Sequence, residues 1–254
     1  MLKKFIWFSF FILNFWLGHA SIGHGKVIVF DGVTTVKKPT YLKVLTKGRL
    51  FAQGGKLVDV YVDNKKVKQI LTGGDGYGYL KYTPQRTGLT RIEARSMSES
   101  DSDSGVILVV AEGDKLILIE VENGLKESLL SQNARANSHK AVETLSQTYK
   151  IIYLNTSFAT GLSRNWLRDK EFVETATLKW QGSIMLKSLK EKGIHLFAII
   201  GSAGLVAEAT KYIENRYSFE ETKDGQTVKD WEEILKLLEE ASHKAPSNST
   251  AKQK

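Results

Sequence analysis

The sequence predicts two domains in series, an all-β sandwich followed by an α/β domain with a doubly wound parallel sheet. Three observations carry this. From about Lys26 to Val110, short runs rich in β-branched and aromatic residues recur with a period of two, separated by turn residues. After Val110 the period moves towards 3.6, and strand-like runs alternate with helical ones, as a parallel sheet requires. Between the two lies Lys115-Leu116-Ile117-Leu118-Ile119-Glu120-Val121-Glu122-Asn123-Gly124, an apolar run ending in two carboxylates spaced i, i+2.

The chain of 254 residues is long enough for two ordinary domains, and its 42% hydrophobic and 25% charged residues are those of a globular protein. It opens with a basic Met1-Leu2-Lys3-Lys4. An apolar stretch from Phe5 to Leu17 follows, then small residues at Gly18 and Ala20. That apolar core falls short of the roughly 20 residues a membrane span needs. Residues 1–20 are therefore expected to be a cleaved signal peptide, with an uncleaved anchor as the alternative. The expected location is periplasmic or secreted, with no stable membrane span after cleavage. The absence of cysteine excludes disulfides, thiolate metal sites, a cysteine nucleophile and a lipoprotein anchor. Net charge is +8, of which Lys3 and Lys4 leave with the signal segment. The surplus is spread along the chain, with no basic block and no aromatic-interleaved stripe, so no nucleic-acid partner is expected. Weak attraction to an anionic envelope surface remains open.

The first domain is expected over 26–111. Its strands are Val27–Phe30, Tyr41–Leu45, Val58–Val62, Lys68–Leu71, Tyr77–Tyr82, Thr90–Ala94 and Val106–Val110. Asp31-Gly32, Gly54-Gly55, Asp63-Asn64, the Gly73–Gly76 turn and Arg86-Thr87-Gly88 punctuate them. About seven strands in this length suit a sandwich. The acidic Ser96–Gly105 segment reads as a solvated hairpin tip, with Ca²⁺ on Asp101 and Asp103 as the minor alternative.

The second domain is expected over 113–241, with strands Lys115–Val121, Lys150–Ser157 and His195–Gly201, and an edge strand at Tyr217–Glu220. Helices are expected at Ala134–Tyr149, Leu162–Phe172, Ser183–Lys192, Leu205–Ile213 and Val228–Ala241. Residues 246–254 read as a disordered tail. The run before Glu120 reads as a strand buried on both faces, which places its acidic tip at the carboxyl edge of the sheet, where open α/β folds bind ligands. Two acids there are costly unless donors or a cation face them. The tip is either an acidic active-site edge or a strand that simply ends in solvent. None of the five histidines has metal-ligand spacing, and no Gly-x-Ser-x-Gly elbow surrounds Ser157 or Ser202. Gly201-Ser202-Ala203-Gly204, ahead of a helix, reads as a packing turn or an anion seat.

Two resemblances follow from these residues. Val60-Tyr61-Val62-Asp63-Asn64-Lys65, then Leu71 to Pro84 and Gly88 to Ala94, resemble the bacterial Ig-like repeats of surface proteins, which implies an Ig-like sandwich and leaves function open. The second domain resembles the haloacid dehalogenase superfamily of phosphohydrolases. Its lipin-like branch, found at the C-terminus of some phosphatidylinositol-transfer proteins, is the most similar. Leu116 to Leu125 stands where that family has an apolar strand followed by D-x-D-G-T, Tyr149 to Ser157 where it has its second strand, and Phe197 to Ser202 where it has its third. The resemblance implies that Glu120 stands at the nucleophile, Glu122 at the general acid and base, and Lys187 at the catalytic lysine. It places ligand-binding positions at Asn155, Thr156, Gly201 and Ser202. The departures are large: both aspartates are glutamates, Asn123 and Gly124 replace Gly-Thr, and Val206 falls where a Mg²⁺-anchoring carboxylate belongs. Each glutamate adds a methylene of reach, and a misplacement near 1 Å costs ~10²-fold in rate. The expectation is a domain that has lost catalysis, with no metal and no cofactor, and that binds an anionic or phosphorylated envelope ligand or a protein partner. The alternatives are a divergent Mg²⁺-dependent phosphohydrolase with Glu120 as nucleophile, and a purely structural module.

Overall fold

The computed structural model describes residues 26–97, 101–128, 131–157 and 160–244. The expected signal peptide and the 246–254 tail lie outside the described residues.

Eight strands build the first domain: β1 (Lys26–Val29), β2 (Gly32–Thr35), β3 (Thr40–Lys47), β4 (Leu57–Val62), β5 (Lys65–Leu71), β6 (Tyr77–Tyr82), β7 (Gly88–Ser96) and β8 (Ser102–Val110). They form two sheets, ordered β1-β3-β6 and β2-β8-β7-β4-β5. All pairings are antiparallel except that of β2 with β8. Inward residues of both sheets meet in one core, with Val27, Val29, Leu42 and Val44 facing Val58, Val60, Ile92, Ile107 and Val109. Asp63 and Asn64, both at positive φ (47° and 65°), make the two-residue turn between β4 and β5.

The sequence reading missed β2, a four-residue strand on which the chain crosses from one sheet to the other. The structure carries the acidic segment into β8, and the expected hairpin tip at 98–100 lies outside the described residues. β8 begins at Ser102, and the carboxylates of Asp101 and Asp103 accept the backbone N–H groups of Val27 and Val29. They bind β1 across the gap between sheets, in place of a main-chain ladder.

The second domain runs β9 (Lys115–Glu120), one turn of π-helix (Val121–Leu125), α1 (Ser138–Ser146), β10 (Lys150–Asn155), α2 (Thr160–Asp169) and β11 (Thr177–Lys179). It continues through α3 (Ser183–Glu191), β12 (His195–Ile200), α4 (Ala203–Glu208), β13 (Asn215–Ser218), β14 (Gln226–Thr227) and α5 (Trp231–Lys244). The six strands are parallel in the order β11-β10-β9-β12-β13-β14. Counted within the domain this is 3-2-1-4-5-6, a doubly wound sheet whose winding reverses beside β9. Side chains of β9 alternate between two cores. Ile117 and Ile119 join Ala141, Leu145, Trp166 and Trp231 beneath α1, α2 and α5, while Leu116 and Leu118 join Leu186, Leu189 and Leu205 beneath α3 and α4. Each such burial contributes roughly 1.5–3 kcal/mol.

Several elements differ from the sequence reading, among them the helix expected at Leu205–Ile213, which spans Ala203–Glu208. α1 starts only at Ser138, because Ala134 bridges to Lys126 and Asn137 is left-handed (φ 60°). Strand β11, only three residues long, had no periodic signal. The strand near Tyr217 is not at the edge, since β14 lies outside it.

The domains share a core. In the run Val106–Val110, Ile107 and Val109 face into the sandwich, while Val106, Leu108 and Val110 pack with Val33 against the α/β domain. Polar contacts pin the same junction. Asp31 accepts the N–H of Val106 (2.9 Å) and of Thr177 in β11 (2.9 Å), and lies 3.4 Å from the Arg164 guanidinium. Arg164 in turn donates to the carbonyls of Ser104 and Val29. Arg91 and Glu174 add an exposed bidentate pair across the junction.

Candidate functional site

Glu120 ends β9 at the carboxyl edge of the sheet, next to the reversal of winding. The π-helical turn that follows, closed by the Lys126 N–H on the Val121 carbonyl at 3.1 Å, brings Glu122 back to the same edge. Both glutamates are buried, at 1% and 3% exposure.

Neutral donors surround them. Glu120 accepts the Asn123 amide (2.8 Å) and the Thr156 hydroxyl (2.8 Å) on one oxygen, and the Ser202 N–H (2.6 Å) on the other. Glu122 accepts the Ser163 hydroxyl (2.7 Å) on one oxygen, and faces the Thr156 N–H (3.2 Å) and hydroxyl (3.1 Å) with the other. The Thr156 hydroxyl therefore stands between the two carboxylates with a single proton to give. Among the described residues no ion pair reaches either glutamate, and no group of three or more histidine and acidic side chains is gathered as a metal site.

The sequence-derived candidates thus separate. Glu120, Glu122, Thr156, Gly201 and Ser202 come together. Gly201 is the close-approach point: a Cβ there would lie 2.6 Å from Glu120 Oε2 and 2.8 Å from its Cβ. Ser202 acts through its backbone N–H, while its hydroxyl caps α4 by accepting the Leu205 N–H. Asn155 is fully buried at the end of β10, where its carbonyl accepts the Trp180 N–H and its side-chain oxygen accepts the Ser157 hydroxyl. Lys187 does not join them. It stands on the solvent side of α3, 68% exposed, 3.9 Å from Glu191 one turn on. The periodicity of Ser183–Glu191 explains why: Met185, Leu186 and Leu189 take the buried face.

Reading the sequence missed three participants. Asn123 and Ser163 each give a donor to a glutamate, and Glu220 accepts the Ala203 N–H at 2.8 Å. Asn123 was visible only as a departure from a glycine, and nothing marked Ser163 or Glu220. The turn read as a packing turn or an anion seat has its first amides taken by Glu120 and Glu220.

A Mg²⁺ shell does not fit this edge. The oxygens of Glu120 are engaged by three protein donors, and Val206, for which the sequence resemblance implied a carboxylate, is a buried valine against Gly225. His195 opens β12 at the opposite end of the sheet. Its imidazole pKa is lowered, by burial first and then by Lys115 and Lys190. A cleft of about 490 Å³ lies elsewhere, between the domains, lined by Asp31, Arg91, Arg164, Phe172 and Glu174 but not by Glu120 or Glu122.

No family model matches the sequence, and no curated protein matches it. Solved β-sandwiches are similar over about a third of the chain. The CARDB domain of a Pyrococcus furiosus protein, solved with di-metal ions, is 22% identical over 35% of this chain and 93% of its own, with a TM-score of 0.26. Fibronectin(III)-like modules of Clostridium thermocellum CbhA are 18% identical over 34% and 97%, with a TM-score of 0.24. Domains 4 and 5 of the S-layer protein SbsC are 16% identical over 34% of this chain and 51% of theirs, with a TM-score of 0.25. No ligand or activity passes from them to this chain. Among the described residues no helix is long and apolar enough to cross a membrane.

Proposed function

We propose that this is an exported envelope protein whose α/β domain descends from a haloacid-dehalogenase-like phosphohydrolase, no longer catalyses, and serves with its Ig-like sandwich as a rigid binding module. One observation carries the reading: the protein's own carboxylates occupy the donors a phosphate would use. Glu120 sits on the Ser202 N–H and the Thr156 hydroxyl, Glu122 on the Thr156 N–H, and Glu220 on the Ala203 N–H. A phosphoryl group arriving there would meet two buried carboxylates, with Lys187 turned to solvent. Phosphoryl transfer depends on stabilising negative charge as it develops, and this edge supplies more of the same sign. An anionic ligand at Glu120, expected from the sequence, is disfavoured for the same reason.

The test is thermal unfolding with MgCl₂, with beryllofluoride, and with both, beside an assay of p-nitrophenyl phosphate hydrolysis. No shift and no turnover are expected. A ligand at 100 times its dissociation constant adds ~2.7 kcal/mol to stability. A rise of that size with both additives, lost in Glu120→Gln, would establish the phosphohydrolase instead.

A further inference from the structure

The outward face of the three-stranded sheet collects residues that the sequence scatters. Alternation along β1, β3 and β6 sends Val27, Val29, Leu42 and Val44 into the core and their neighbours outward. Four of the outward neighbours are aromatic: Phe30 just past β1, Tyr41 on β3, and Tyr77 and Tyr79 on β6. The register sets Tyr79 opposite Lys43 and Tyr41 opposite Lys81, and the Phe30 N–H bonds the Lys43 carbonyl. Phe30, Tyr77 and Tyr79 form a continuous row, with ring centroids 6.1 and 6.3 Å apart. Tyr41 and Tyr79 keep 64% and 54% of their surface open.

Ile28 and Leu45, paired across β1 and β3, also point outward, and lysines complete the face. Lys43 reaches over the rings of Phe30 and Tyr77, at 4.7 and 4.3 Å from their centroids, and Lys26, Lys47 and Lys81 flank it. No residue of the three strands is acidic. Carboxylates beside these strands are committed to backbone: Asp75 to the Tyr77 N–H, Asp101 and Asp103 to the N–H groups of Val27 and Val29, and Asp31 to those of Val106 and Thr177. The positive surplus that looks dispersed in the sequence is thus partly gathered here, interleaved with aromatics.

We propose that this face docks an acidic polysaccharide, a chain of sugars bearing carboxylates. The negative face of an aromatic ring attracts the C–H faces of a pyranose, and the lysines offer point charges for carboxylates along a flexible chain. The face has four lysines and no arginine, so it meets an anion with point charges on flexible stems, without the bidentate fork that fits carboxylate and phosphate alike. Lysine is also depleted in protein–protein interfaces. The inference names a ligand for the binding module and stands on the sandwich alone. Its failure leaves the catalytic question untouched.

The experiment measures binding of the full chain to polygalacturonate, to its fully methyl-esterified form, to oligo(dT) and to phosphatidylglycerol vesicles, each at two salt concentrations. Binding to polygalacturonate well above that to the ester is expected. Tyr41→Ala and Tyr79→Ala should each weaken it about fivefold or more, with unchanged melting temperature, and Lys43→Gln and Lys81→Gln should weaken it similarly. Absence of binding to polygalacturonate overturns the proposal. So does loss on the lysine changes without loss on the tyrosine changes, which would mean diffuse charge attraction. Tighter binding of oligo(dT) or vesicles through the same residues would overturn it as well.

Discussion

Thr156 is the residue on which the acidic edge turns, because its N–H and hydroxyl together face both buried glutamates. Removing the hydroxyl in Thr156→Val keeps the shape and leaves the two carboxylates one donor short. Hydrogen bonds to charged groups contribute about 1.5–3 kcal/mol, so this change should destabilise by ~2–3 kcal/mol in urea unfolding. Glu122→Gln should cost less than ~1 kcal/mol. It removes one of two neighbouring buried charges, its oxygen keeps the Thr156 N–H, and its amide can donate to the Ser163 hydroxyl. A larger loss for Glu122→Gln than for Thr156→Val would mean that the paired carboxylates attract their surroundings more than they repel each other.

At the scale of the element, the edge depends on how closely β12 passes β9. Gly201 follows β12 where a side chain would meet Glu120 and, at 3.2 Å, Leu205. Its N–H bonds the Tyr217 carbonyl, so the backbone has little room to retreat. Gly201→Ala should therefore displace Glu120 from the Ser202 N–H and cost ~1–3 kcal/mol, read from the denaturant midpoint. A neutral result would show that Glu120 has another place to go. The same strands illustrate what pattern reading captures. β9, β10 and β12 were legible because continuous apolar runs of this length, bounded by turns, have few other uses. β2, β11 and β14, of four, three and two residues, were too short to show a period.

For the whole molecule, the junction between domains combines shared apolar packing with the buried Asp31. Burial, the largest influence, raises the Asp31 pKa above the ordinary aspartate value, against the attraction of Arg164 and the hydrogen bonds from Thr177 and Val106. A raised pKa means the folded protein holds more protons than the unfolded chain between the two values, so stability falls as pH rises through that window. Asp59 and Glu93, lowered chiefly by hydrogen bonds from Lys66 and Arg95, act in the opposite sense and cancel when two variants are compared. The stability of the protein relative to Asp31→Asn should therefore be greatest in acid, below the ordinary aspartate value. It should shrink as pH rises past the raised one, in urea unfolding from pH 3.5 to 7. An advantage that grows with pH would show that Arg164 outweighs burial.

The sequence by itself determined the two-domain order, most of the strands, and the acid-tipped strand. Each is written in a local period or a short run, and periodicity is a property of neighbours along the chain. Only the tertiary structure decided what faces those acids: Ser163 lies 41 residues from Glu122 and Ser202 82 from Glu120. It alone turned Lys187 outward, joined Asp31 to Thr177 across 146 residues, and set lysines and aromatics from three strands on one face. Charge satisfaction and surface composition depend on distances in space, and a linear pattern carries no record of which remote donor a buried carboxylate will meet.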